Sequence, residues 1–262
     1  MTGPLTRPRP RPFKRSTTSL SIKERLLSDM PNCPICESVK TEVIGIYSER
    51  GTPVELFYCA DCESFSSPFA PVQPVSESIS WHLKVQERNR GFSLDVLEKI
   101  GIEKPVVLDV GCGIGTLIET ATRLGGGGIG YELNRACVDF GRDSGLDLRC
   151  ELWGIDSVHP KPTLITCVMV LEHIHQPRHL LRDLVLASKK YDAPLFISVP
   201  WFNERWWTFL DEAVAPGTLN PLGSPAVHVS HFSYFGFEKV VRSFGATELT
   251  LVRGGWPGFL VK

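Results

Sequence analysis

The sequence predicts an α/β protein built on a doubly wound, mostly parallel sheet that ends in an antiparallel hairpin and is preceded by a small zinc-ribbon-like module. Three observations predict it. After Pro105, apolar strand-like runs alternate with stretches of helical spacing, the pattern of a parallel sheet covered on both faces. The first of those runs passes directly into a glycine-rich turn. Ahead of the alternation stand two Cys-x-x-Cys pairs separated by a hairpin-like stretch, a spacing that reads as metal binding.

Composition bounds what can be built from these parts. The 262 residues, 42% of them hydrophobic and including six Trp and fourteen Phe, suffice for one large domain with an appendage. Twenty-eight basic residues against 29 acidic ones leave a net charge of -1, which argues against a nucleic-acid partner. Apolar runs such as Leu164 to Leu171 fall far short of the ~20 residues of a membrane helix, so no membrane span is expected. The first thirty residues lack the apolar core of a signal peptide and two cysteine pairs have metal spacing, so a reducing, cytoplasmic location is expected. The composition leaves the oligomeric state open.

Residues 1–30 begin basic, proline-rich and free of acids, a composition that gives a flexible tail. An organellar transit peptide shares that charge, but the Arg-Pro alternation breaks the amphipathic helix it needs. Residues 31–74 form the module: a strand from Val43 to Tyr47, a turn through Gly51, a strand from Val54 to Tyr58, then Pro68, Pro71 and Pro74 as a stiff connector. Residues 75–262 form the main domain. Ser76 to Ile100 has helical spacing through Ile79, Leu83, Val96, Leu97 and Ile100. Then follow VVLDV, a helix from Thr116, GIGYEL, a helix from Asn134, LDLRCEL, TLITCVMV, a helix from Gln176 to Lys190, and PLFISV. A helix from Ser233 to Gly245 and strands Thr247 to Val252 and Phe259 to Val261 make the terminal hairpin.

Cys33, Cys36, Cys59 and Cys62 bring four thiolates together on two tight turns, a closed tetrahedral shell suited to structural Zn2+. Two redox pairs are the competing reading. Cys112, Cys137, Cys150 and Cys167 have unrelated spacings and read as small apolar side chains.

The glycine turn runs Asp109-Val110-Gly111-Cys112-Gly113-Ile114-Gly115. Such a turn lets the backbone approach a ligand at the carboxyl edge of the sheet, making the fold Rossmann-like and the turn a cofactor cradle. A dinucleotide fingerprint would place glycine at 116, where Thr116 stands, so hydride chemistry ranks second. Glu132 ends the next strand, 21 residues after Gly111, where a carboxylate can accept hydrogen bonds from ribose hydroxyls.

These residues resemble the class I S-adenosylmethionine-dependent methyltransferases, whose first motif is similar to VLDVGCGIG and whose second is similar to GYELN. Val170 to Ile174 resembles the Leu-Glu-His segment after their fourth strand, and Ile197 to Pro200 their fifth-strand end. The resemblance covers residues 76 to 262 and departs at the third strand, where the nearest acid, Asp156, is offset. It implies S-adenosylmethionine as cofactor, held by Asp109, Gly111, Cys112, Gly113, Gly115, Glu132, Leu133 and Leu171. The cysteine module is similar to the zinc module in front of sugar C-methyltransferases, which implies a small-molecule acceptor, a sugar or nucleotide-linked intermediate.

Methyl transfer asks for positioning and, where the acceptor is not preactivated, a base. His173 follows the fourth strand beside Glu172, and imidazole titrates near pH ~6.5. A histidine that only orients the loop fits the same position. Trp201 to Val227 is long and aromatic and reads as a lid, with a dimer surface as its alternative. His228 and His231 follow it and are further catalytic candidates. They also have metal spacing, but no third ligand is evident near them in the sequence. His175 and His179 read as exposed. An RNA methyltransferase using the zinc module as a grip and a non-catalytic binding protein are the rival functions.

Overall fold

The computed structural model describes residues 30–49, 52–70, 79–157, 159–201 and 228–262. The tail before Met30, Pro71 and Pro74 of the connector, and the lid after Trp201 lie outside the described residues.

Two sheets organise the chain. The first is antiparallel and contains β1 (Thr41–Glu49), β2 (Thr52–Cys59) and β3 (Ser64–Ser66), joined at its edge by β9 (Ser230–His231). The second holds β4 (Val106–Val110), β5 (Gly127–Tyr131), β6 (Leu148–Arg149), β7 (Leu164–Val168), β8 (Leu195–Ser198), β10 (Leu249–Val252) and β11 (Gly258–Val261). Its order is β10-β11-β8-β7-β4-β5-β6, parallel from β8 to β6 and antiparallel at the β10-β11 hairpin. The expected doubly wound sheet and terminal hairpin are therefore both present. Strand order reverses at β4, with β5 on one side and β7 on the other, and ligands of such sheets bind at the carboxyl ends beside that reversal.

The helices are α1 (Ile79–Ile100), α2 (Thr116–Arg123), α3 (Arg135–Asp143), α4 (Pro177–Tyr191) and α5 (Tyr234–Ser243). Their starts follow from local chemistry. Asn134 caps α3 by accepting from the Ala136 and Cys137 amides, Pro177 opens α4, and Ser233 caps α5 by accepting from Gly236 N. None of the helices described is long and apolar enough to cross a membrane.

One expectation is corrected. LDLRCEL forms only the two-residue β6, because this edge strand meets β5 only at Gly130 and Tyr131 and then peels away. The cysteine knuckles pack into the core of the large sheet. Cys33, Ile35, Cys59 and Cys62 pack in one buried cluster with Phe232, Phe237 and the inner strands of the large sheet. Main-chain pairing explains this, since β9, far along the sequence, joins β3 at Phe65↔His231 and Ser66↔Ser230.

Candidate active site

The glycine turn sits where β4 enters α2. Gly111 N and Cys112 N both donate to Tyr131 O, at 2.8 and 3.1 Å, so the turn is fastened to the end of β5. Gly111 has φ +80 and Gly113 φ +55, a left-handed backbone that favours glycine. A Cβ at Gly113 would lie 2.8 Å from His82 Cε1, and one at Gly111 would run into Val170 Cγ2. The turn is thus sandwiched between α1 and the segment that follows β7.

Glu132 faces the turn. Its Oε2 accepts from Gly113 N at 3.0 Å, and Oε1 accepts from Leu133 N and Asn134 N at 2.7 and 2.8 Å. Three main-chain amides therefore fix the carboxylate, which has about four lone-pair sites. Leu133 beside it is 66% exposed, an apolar surface at the edge of the cleft. Asp109 is buried below the turn and accepts from Thr166 Oγ1 at 2.6 Å across the β4-β7 pairing. Burial pushes its carboxyl up to about 7; the Thr166 hydrogen bond opposes the rise and the Glu132 charge adds to it. Asp109 therefore supports the turn from inside the sheet. Cys112 and Gly115 are buried in the turn, and burial raises the Cys112 thiol. Asp156 is exposed in a turn.

After β7 the chain reverses at Met169, whose φ of +56 is unusual for a side-chain-bearing residue. A short 3-10 turn, Leu171–His173, follows. Leu171 is fully buried and Glu172 only 2% exposed, while His173 keeps 11% exposure. Glu172 Oε1 lies 3.8 Å from His173 Nε2, and the His173 and His228 rings meet edge-on with centroids 4.8 Å apart. Three of the four candidate catalytic residues, from two distant parts of the sequence, therefore share one corner. His231 does not. It is buried in β9 opposite Phe65, and burial, then the His228 charge, depresses its pKa to about 3, which keeps it neutral. His175, expected exposed, is partly buried with Nε2 3.0 Å from Ala70 O, whereas His179 is exposed.

The sequence reading missed His82. It lies on α1 over Gly113, and burial lowers its pKa while the Glu132 charge opposes that. No signal in the sequence marked it; Leu83, counted there with the apolar positions of this helix, is 42% exposed.

The cysteine pairs form two similar knuckles. Glu37 N donates to Cys33 O and Glu63 N to Cys59 O, both at 2.8 Å, with Glu37 and Glu63 at positive φ. Cys33 and Cys62 sulfurs are 3.6 Å apart and Cys36 and Cys59 sulfurs 3.5 Å. A tetrahedral zinc with Zn–S bonds of ~2.3 Å separates its sulfurs by roughly 3.8 Å, so the four residues fit that ion. The thiols split in acidity, Cys36 being pulled down to about 7 chiefly by its contact with Cys33.

A family model described as a methyltransferase domain matches residues 81–251. A curated ubiquinone biosynthesis O-methyltransferase from Alkalilimnicola ehrlichii is 32% identical over 85 residues, 29% of this chain and 34% of that protein. The chain thus spans about a third of the length of the curated relative it matches. Among solved structures, Streptomyces venezuelae DesVI aligns with a TM-score of 0.50 at 14% identity, covering 72% of this chain and 99% of that one. TnmH aligns at 0.50 and 16% identity, covering 70% and 57%. At these identities the likeness to solved structures is one of fold alone.

Proposed function

This chain belongs to the methyltransferase-domain family, and on that premise we propose that it transfers a methyl group from S-adenosylmethionine to a small-molecule hydroxyl acceptor. A sugar or nucleotide-linked intermediate is the first class to test. The O-methyltransferase name of the curated relative supports an oxygen acceptor. The observation that carries the reading is the glycine turn facing Glu132 at the strand reversal, with Gly113 N 3.0 Å from the carboxylate.

The residues fit the cofactor. Two positive-φ glycines clear side chains from the place where backbone must meet ligand. Glu132 arrives oriented by three amides, with a lone pair left for a ribose hydroxyl and a second if Gly113 yields its bond. When bound, S-adenosylmethionine supplies a sulfonium methyl open to in-line displacement. The protein's part is position and proton. His173 receives or shares the acceptor proton, Glu172 stabilises the charge this places on the imidazole, and His228 braces the ring.

Cys33, Cys36, Cys59 and Cys62 hold one structural zinc in this reading, supported by their spacing and sulfur separations. Two Cys-x-x-Cys pairs placed to hold a metal rather than to form disulfides suit a reducing compartment such as the cytoplasm. Calorimetry is the test: S-adenosylmethionine should bind with low-micromolar or tighter affinity and NAD should not compete. Tight NAD binding with no response to S-adenosylmethionine would overturn the reading.

A further inference from the structure

We infer that Glu172, His173 and His228 form a second metal site, for one divalent first-row cation of the zinc or cobalt kind, distinct from the four thiolates. One ligand atom from each of the three lies within 4.8 Å of the others. Bonds of ~2.0–2.2 Å would draw such atoms to roughly 3.0–3.5 Å, so the side chains need to close by about an ångström. Two imidazoles and one carboxylate select transition ions over magnesium or calcium, which prefer all-oxygen shells.

The backbone holds the ligands in register. Val229 N donates to Glu172 O at 2.7 Å, and Ser230 Oγ to Ile174 O at 2.8 Å. These two bonds clamp the segment carrying His228 against the turn carrying Glu172 and His173. The sheet adds a third tie, because Ser230 and His231 pair with β3. The carboxylate is nearly fully buried and the imidazole beside it retains some exposure, so a bound ion would keep an accessible side.

Position gives the ion a role. Val170, one residue before the 3-10 turn, packs on Gly111 of the cofactor cradle. Three protein ligands leave at least one coordination position open. An acceptor hydroxyl oxygen bound there would lose its proton to solvent more readily, with the cation stabilising the oxyanion that attacks the methyl carbon as its bond to sulfur breaks and S-adenosylhomocysteine leaves. This role rests on the reading of the cleft as a methyl-transfer site and changes His173 from proton acceptor to metal ligand. The sequence hides the site because His228 is distant from the adjacent Glu172-His173 pair.

The full-length protein, dialysed against a carboxylate chelator, should be titrated with Co2+ by calorimetry and visible absorption. One equivalent should bind with micromolar or tighter affinity and without the strong thiolate-to-cobalt charge transfer of the cysteine site. His228→Ala and Glu172→Gln should each weaken it at least tenfold while S-adenosylmethionine affinity stays unchanged. Should His228→Ala fail to bind S-adenosylmethionine, His228→Gln is read in its place. Uptake at the thiolate site only, or parental Co2+ affinity in Glu172→Gln, would overturn the site. Cobalt binding without S-adenosylmethionine binding would leave the metal site standing and sink the methyl-transfer reading; the reverse result would do the opposite.

Discussion

Gly113 is where the presence of any side chain decides whether the cleft can work. Its backbone is left-handed and its space is closed by His82, so Gly113→Val both strains the turn and pushes into the α1 side of the cradle. S-adenosylmethionine affinity should fall at least tenfold by calorimetry. Glu132→Ala should lose affinity too, because it removes the ribose acceptor and releases three amides together. For His173→Ala, turnover should fall by ~10²-fold or more, the scale of a lost proton acceptor or metal ligand, with cofactor affinity retained. Unchanged turnover on an identified acceptor would make His173 structural. Asp109 gives a pH prediction. Its folded-state pKa of about 7 lies above the ordinary 3.8, so from about pH 4 to 7 the folded form holds the proton more tightly than the unfolded chain. The Asp109 contribution to stability therefore falls as pH rises through that window, while buried His231, depressed from 6.5 to about 3, contributes in the opposite sense. Asp109→Asn can keep the bond from Thr166 and should shift the change in urea midpoint between pH 4.5 and 7.5 toward higher stability at pH 7.5 than the parent shows.

At the scale of elements, the cysteine knuckles are bound to two helices as well as to their own strands. Ser233 Oγ, the cap of α5, also donates to Cys62 O at 2.7 Å, and Lys239 Nζ donates to Asp61 O at 2.7 Å. From α4, Arg178 pairs with Glu37 at 2.8 Å and lies over the Phe244 ring. A Cβ at Gly236 would press on Cys62 O, so α5 is seated directly against the second knuckle. Cys59→Ser should therefore release metal and loosen β9 and the start of α5 along with β1 to β3. Hydrogen exchange is the measurement: protection should drop in residues 230–236 as well as in 40–66. A loss confined to the cysteine segment would contradict the shared packing.

For the whole molecule, the cluster that the cysteine knuckles share with the large sheet implies one cooperative transition. Calorimetric melting of the zinc-loaded protein should give a single peak, moved upward by S-adenosylmethionine; saturation a hundredfold above the dissociation constant adds about 2.7 kcal/mol. Two separated peaks would mean that the cysteine segment melts independently. The sequence by itself determined the family, the sheet with its hairpin, the glycine turn with its glutamate partner and the two cysteine pairs. Each is written in neighbouring residues: alternating periods, a left-handed glycine turn, and thiols on tight turns with metal spacing. Asn134, Pro177 and Ser233 likewise announce helix starts within a few residues of themselves. Only the tertiary structure decided that β9 completes the cysteine sheet, that His82 reaches Gly113 from α1, and that His228 meets Glu172 and His173 while the ring of His231 is buried in β9. Those outcomes depend on packing and strand pairing between distant segments, and a local pattern carries no record of which distant partner its free face will meet.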